Sequence, residues 1–304
     1  MIQNLVQKYR TINAPVKASL WFLICGFLQK GISMITTPIF TRVMTDVEYG
    51  RFSVYNSWLS IVQIIVSLNL AAGVYTRGLV KNENNQKVFT SSMLGLSSTC
   101  IFVWFLIYVL FHDFFNAIFD LSSALMVAMF LEILATAAYQ FWSNRERVNY
   151  RYRKLVALTL TYVVARPIFG ILMILRVNQN HQTEARVFTA TAVDVILFAA
   201  LYFSMMRQGK KFYDKSYWLY ALKFNLPLVL HYLSQIVLSQ SDRLMIHSFC
   251  GSAATAYYSV AYTLSMGLQI LNSSISGTMN PWIYKSLRDG KAKNIGKTSY
   301  PILM

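Results

Sequence analysis

Six ionisable side chains stand inside long apolar runs of this 304-residue chain: Lys30, Glu132, Arg166, Asp194, Lys223 and His231. Keeping a charge away from bulk water costs at least about 2.5 to 3.5 kcal/mol on membrane-insertion scales, so each one needs a reason. Sequestered cations suit an anion such as phosphate, which Arg166 can grip with two donors where Lys30 offers a point charge. Lys30, Arg166, Lys223 and His231 are therefore candidate substrate-binding residues, with His231 open to two readings, a polar contact to a neighbouring helix or a proton switch. Acids at such depth suit proton or sodium coupling, which makes Glu132 and Asp194 candidate ion-coupling residues. A plainer account competes with all of this: Lys30 or Arg166 paired with Glu132 or Asp194, setting helix register and nothing more. Pro38, Pro167 and Pro227 interrupt three of the apolar runs. An interior proline removes one backbone hydrogen bond and bends a helix, so they are candidate kink or gating positions.

The elements that position these residues follow from composition. Hydrophobic residues make up 55% and charged residues 13% of the chain, against roughly a quarter charged in soluble domains, which disfavours a water-soluble globule. The 20 Phe and 19 Tyr exclude disorder, and three scattered Cys exclude a disulfide scaffold. About 20 apolar residues cross the hydrocarbon of a bilayer as a helix. Such windows occur at 18–41, 53–76, 88–111, 121–142, 155–175, 187–206, 217–240 and 253–277. They are continuously apolar and too long for alternating barrel strands, so the expected fold is an all-α, polytopic membrane protein of about eight spans. Lys30 then lies about 18 Å into the first span, with Arg166 and Glu132 at middle depth in theirs. The first span lacks a small-residue cleavage site and reads as a retained helix rather than a signal peptide.

Orientation comes from the loops. Of the 28 Lys and Arg, 20 fall on the N-terminal side of the membrane, 5 on the other, and Lys30, Arg166 and Lys223 lie within spans. That bias places the N-terminus in the cytoplasm and the protein in the cytoplasmic membrane as a multi-pass chain. The net charge of +16 is explained by topology and by attraction to anionic membrane lipids, with no nucleic acid partner required. Short loops such as 112–120 leave no room for an extramembrane catalytic domain. The chain has no Gly-rich phosphate loop, CxxC, HExxH or GxSxG, so no catalytic residue, metal ligand or cofactor is expected and the chain does not read as an enzyme.

Internal similarity is weak but placed suggestively: Tyr49-Gly50-Arg51-Phe52-Ser53-Val54 matches Thr255-Ala256-Tyr257-Tyr258-Ser259-Val260, each opening an apolar span after an Arg, Arg42 or Arg243. Such duplication is common among transporters. Around these stretches stand Pro38-Ile39-Phe40-Thr41-Arg42, Asp46, Leu226-Pro227, Ser241-Asp242-Arg243, Tyr258-Ser259-Val260-Ala261-Tyr262 and Asn280-Pro281-Trp282. In these segments the chain resembles the polysaccharide-biosynthesis family of lipid-linked oligosaccharide flippases, with the O-antigen flippases as the nearest type, within the multidrug/oligosaccharidyl-lipid/polysaccharide exporter superfamily.

The resemblance implies a pair of six-helix bundles that rock between inward- and outward-facing states around a polyprenyl-pyrophosphate-linked glycan, without a cofactor beyond a coupling proton or sodium ion. Lys30, Arg166 and Lys223 would then hold the pyrophosphate and acidic sugars. On this reading 1–17 is a cytoplasmic segment, 18–206 the first six-helix bundle, 207–216 a cytoplasmic linker and 217–277 the first two helices of a second bundle. Residues 278–304 would be a basic tail or the start of a ninth helix, so the chain is expected to be C-terminally incomplete relative to that pattern. Other glycan-assembly proteins, a polymerase among them, are the expected protein partners. A multidrug cation antiporter and a non-transporting scaffold for glycan assembly are the competing functions.

Overall fold

A computed structural model describes the backbone of residues 14–288 and, Ser19 excepted, the side chains of residues 17–266. The expected cytoplasmic segment 1–17 lies largely outside the described residues, as does the tail beyond residue 288. Among the described residues there are helices and turns and no strand, so the all-α, polytopic class holds. Among the described residues, six stretches are long and apolar enough to cross a membrane: Leu20–Val43, Glu83–Leu110, Ser123–Val148, Tyr152–Ile174, Gln179–Gly209 and Lys215–Met266.

Helix α1 (Ala14–Val43) has little amphipathicity and leaves Leu23, Phe27 and Ile35 exposed, as a lipid-facing helix would. After a tight corner, Thr45 caps α2 (Asp46–Ser67) by accepting the Glu48 N–H at 3.3 Å. Asp46 and Glu48 sit in the first turn, where the helix dipole favours negative charge. The second apolar window is thereby corrected, because the helix begins at Asp46 rather than 53 and ends at Ser67 rather than 76. Hydropathy reads Asp46, Glu48 and Arg51 as loop. In the fold Glu48 is buried and paired with Arg51 at 3.1 Å. At the other end Leu68 and Asn69 adopt left-handed φ of 51° and 48° and stop the helix, and the short α3 (Gly73–Lys81) takes up the remainder.

Helices α4 (Gln86–Leu110), α5 (His112–Phe119), α6 (Ser123–Val148), α7 (Tyr152–Ile174) and α8 (Gln182–Gly209) follow, with single 3-10 turns at Glu83–Asn85 and Gln179–His181. The centre is α6, which packs against α8 and α4, while α7 lies between α8 and α1. Of the most apolar stretch of α6, 61% is buried, against 11% in α1, so α6 is a core helix and α1 a peripheral one. Two apolar clusters fill the bundle, one around Tyr75, Phe89, Met93 and Phe141 and the other around Tyr55, Met126, Met129 and Ile133.

The helical stretch Lys215–Arg288, labelled α9, is two helices that meet at a kink between the expected seventh and eighth spans. The expected loop between them is a single residue, Gly251, at φ 83° and ψ 177°. A side chain there would meet nothing within 4 Å, so the backbone conformation alone asks for glycine. The three prolines likewise do not end helices. Helices α1, α7 and α9 continue through Pro38, Pro167 and Pro227, since one lost backbone bond is a minor loss for helices of 23 residues or more. The chain forms two compact units, Met1–Ser259 and Val260–Met304, and every contact described below lies in the first. There, the start of α2 packs against the segment just after Gly251: the Tyr257 hydroxyl donates to Asp46 Oδ2 at 2.6 Å, and a Cβ on Gly50 would fall 1.8 Å from the Ser252 carbonyl oxygen.

Candidate functional site

Four helices bring polar side chains to one place at mid-bundle. Helix α6 supplies Glu132, α8 Asp194, α2 Tyr55 and α7 Tyr162 with Arg166. Arg166 Nη2 donates to Glu132 Oε1, its Nε lies 3.4 Å from Asp194 Oδ1, and its Nη1 donates to the Tyr162 hydroxyl at 2.9 Å. The Tyr55 hydroxyl donates to the second Glu132 oxygen at 3.1 Å. Glu132 and Asp194 are 2% and 0% exposed, so neither acid is hydrated and both depend on this cluster. Their share is unequal. Glu132 receives true hydrogen bonds, whereas neither Asp194 oxygen has a donor in hydrogen-bonding geometry among the described residues, and its attraction to Arg166 is an ion pair only. One guanidinium thus faces two carboxylates. With both acids ionised the cluster has an excess negative charge that one added cation or proton would cancel.

Of the two accounts open from the sequence, the pairing one is realised by Arg166, which binds both acids, and not by Lys30, which is exposed. Even so, Arg166 remains at the edge of an open cavity of about 250 Å³. Its polar lining is Gln29, Ser33, Thr36, Asn56, Tyr162 and two arginines, and its apolar wall includes Phe40, Phe52 and Pro167. Helix α1 contributes Gln29, Ser33, Thr36 and Phe40, one stripe at helical spacing, and Lys30 stands about 100° round from Gln29 on the neighbouring face. That angle is why a deep lysine in the right span is absent from the lining. Lys223 and His231 on α9 are also exposed and take no part in the cluster. Pro167 has no N–H to give the Val163 carbonyl, and both residues line the cavity.

By hydropathy alone the second arginine falls in an outer loop. Arg186 precedes the sixth apolar window by one residue, but α8 begins at Gln182, which carries Arg186 into the helix and its side chain to the cavity. Its guanidinium carbon lies 3.5 Å from the centre of the Phe40 ring and 3.6 Å from that of Phe52, with Tyr49 at 5.6 Å. Arg186 Nη1 approaches Met44 Sδ at 3.4 Å, and no carboxylate lies within 4 Å among the described residues. A cation held between aromatic faces keeps its full charge, because ring quadrupoles attract it without neutralising it.

The early start of α8, which places Arg186, is itself a tertiary effect. α8 has no side-chain cap of its own. Instead Glu48 accepts the Thr183 N–H at 2.8 Å, while Gln182 accepts the Thr45 N–H at 2.9 Å and donates to the Val43 carbonyl at 3.0 Å. The N-termini of α2 and α8 satisfy each other's free donors, a reciprocal form of helix capping. A local signal existed in the Thr-x-x-Glu of Thr45 to Glu48, yet it marks α2 and says nothing about α8.

Among the described residues no group of three or more His, Cys, Asp and Glu could hold a metal ion. Residues 16–287 match the family described as polysaccharide biosynthesis protein. The chain is also 24% identical over 287 residues to an Lsg locus protein of Haemophilus influenzae, a similarity that spans 90% of this chain and 67% of that relative. No solved structure matches it.

Proposed function

We infer, from the premise that the chain belongs to the polysaccharide biosynthesis protein family, that it moves an anionic, lipid-linked glycan across the membrane and is a transporter rather than an enzyme. The proposed cargo is a polyprenyl-pyrophosphate-linked oligosaccharide, an O-antigen or capsule repeat unit, carried from the cytoplasmic to the outer leaflet of the cytoplasmic membrane by alternating access. The observation that carries this reading is Arg186, a charge with no acid partner among the described residues, on the wall of an open cavity within the helical bundle. Phosphate oxygens are the acceptors such a guanidinium lacks. The cavity volume of about 250 Å³ falls below the roughly 300 to 1,000 Å³ of sites that enclose whole small molecules, which suits a phosphate head group with the glycan and lipid outside it.

Arg166 is proposed to act differently. Already paired with Glu132 and Asp194, it ties the cargo cavity to the acidic cluster, and those two acids are the proposed proton or sodium site. Lys30, Lys223 and His231, exposed on α1 and α9, are proposed as second contacts for the cargo, and the prolines as bending points. The domain plan remains a six-helix bundle over 18–206 followed by the first two helices of a second at 217–277. The loop charges support a cytoplasmic N-terminus. A multidrug cation antiporter is disfavoured, because the cavity lining holds two arginines and no acid.

The test is rescue of surface glycan in a cell lacking its own flippase. Arg186→Ala should lower outer-leaflet glycan at least about tenfold, the loss expected for one charge-assisted contact, while Lys30→Ala has a smaller effect. Full rescue by Arg186→Ala would overturn the anion-cavity reading, and equal loss with an uncharged glycolipid cargo would favour the scaffold.

A further inference from the structure

A larger open pocket lies elsewhere, at the corner where α6 gives way to α7. It has a volume of about 710 Å³ and is lined by Arg145, Arg151, Arg153 and Lys154 against a single acid, Glu146, with Trp142, Tyr150 and Tyr152 as its aromatic wall and polar positions of α8 opposite. This corner belongs to the loops that hold most of the Lys and Arg, where span ends meet the membrane surface.

Two further features make it a built site rather than a basic loop. Arg145 is only 8% exposed, its one acidic neighbour is Glu146 at 3.9 Å, and its Nη1 has no acceptor among the described residues. A buried guanidinium donor without an acceptor is costly unless an acceptor arrives from outside the chain. In addition, α7 starts here at Tyr152 without a side-chain cap, one residue beyond Tyr150 in the left-handed region at φ 55°. Its positive dipole end adds to the cations. Arg151, Arg153 and Lys154 are exposed and have no carboxylate within 4 Å among the described residues. Cations, a helix N-terminus and interfacial aromatics in one concavity suit a phosphate group whose attached chains lie in the bilayer.

We propose that this pocket binds the headgroup of an anionic phospholipid, separately from the cavity of Arg166 and Arg186. The shared chemistry is a phosphate diester, and a soluble phosphate is the alternative source. The test uses the full chain in phosphatidylcholine vesicles with and without phosphatidylglycerol, reading phosphatidylglycerol retained per protein by native mass spectrometry and thermal stability in parallel. Arg151→Gln, Arg153→Gln and Lys154→Gln combined should weaken phosphatidylglycerol binding on the order of 100-fold, since each cation near an anionic surface contributes roughly a factor of five. Arg151→Lys with Arg153→Lys should restore most of it. If the triple variant does not fold in phosphatidylcholine, the exposed single variants Arg153→Gln and Lys154→Gln take its place, each with a roughly fivefold loss expected. Equal retention by parent and folded variants overturns the site. Stabilisation of the parent by inorganic phosphate but not by phosphatidylglycerol overturns the lipid assignment.

Discussion

Two arginines share one cavity and are held there by opposite means. At the α7 end Arg166 is held by Glu132 and Asp194, with Tyr162 as a further acceptor. At the α8 end Arg186 is held by Phe40 and Phe52 and by no acid among the described residues. The first arrangement cancels charge and locks helices α6, α7 and α8 together. The second preserves charge and leaves it available. Sequestration of a cation therefore does not by itself identify a ligand for cargo, and the nature of its neighbours decides between a brace and a binding group.

The comparison breaks most easily at the brace. Glu132→Ala leaves Arg166 partly unpaired and the Tyr55 hydroxyl without its acceptor, so a loss of about 3 to 5 kcal/mol is expected, the range seen when one member of a buried ion pair is removed. Chemical or thermal unfolding of the purified protein in lipid measures it, and an unchanged midpoint would show that the cluster is hydrated after all. Glu132→Leu, Arg166→Met and Asp194→Leu together should recover much of that stability while abolishing any coupling to a proton or sodium gradient, because well-packed apolar groups replace buried ions at little cost.

At the other end, Phe52→Ala strips one face from Arg186 and should cost about 1 to 2 kcal/mol. Transport should fall more than stability does, since the guanidinium loses its position as well as its contact. A parallel fall in both would make Arg186 a second structural residue and erase the distinction.

The smallest effect is expected where an ion pair is exposed to water. Lys211 donates to Asp214 at 2.6 Å, and Asp214 caps α9 by accepting from Ser216 and Tyr217 N–H groups. The Lys211 ammonium, then the Ser216 hydroxyl, hold the Asp214 carboxyl well below its ordinary range. A depressed folded-state pKa means that the contribution is complete above the ordinary carboxylate pKa of about 4 and is lost as pH falls further. Asp214→Asn keeps the cap but should remove that acid-side decline, with a change at neutral pH under about 1 kcal/mol. Melting curves between neutral and acidic pH in parent and variant check the sign.

Much of this protein was open to reading from its residues alone, because hydropathy and loop charge are local sums that need no partner. The helical membrane class follows from such sums, and the family from a resemblance in short segments such as Pro38–Arg42 and Ser241–Arg243. What no local sum contains is which helix faces which. The choice of Arg166 over Lys30 as the partner of both acids depends on the rotation of α1 about its axis. The move of Arg186 from an expected loop to a cavity wall depends on Glu48, 135 residues from Thr183, accepting that residue's N–H and so starting α8 early. The kink between the two helices of α9 depends on one φ angle, that of Gly251. Charge and hydrophobicity belong to residues and are written in order along the chain, whereas neutralisation, stacking and capping belong to pairs, and those pairs exist only once the helices have packed.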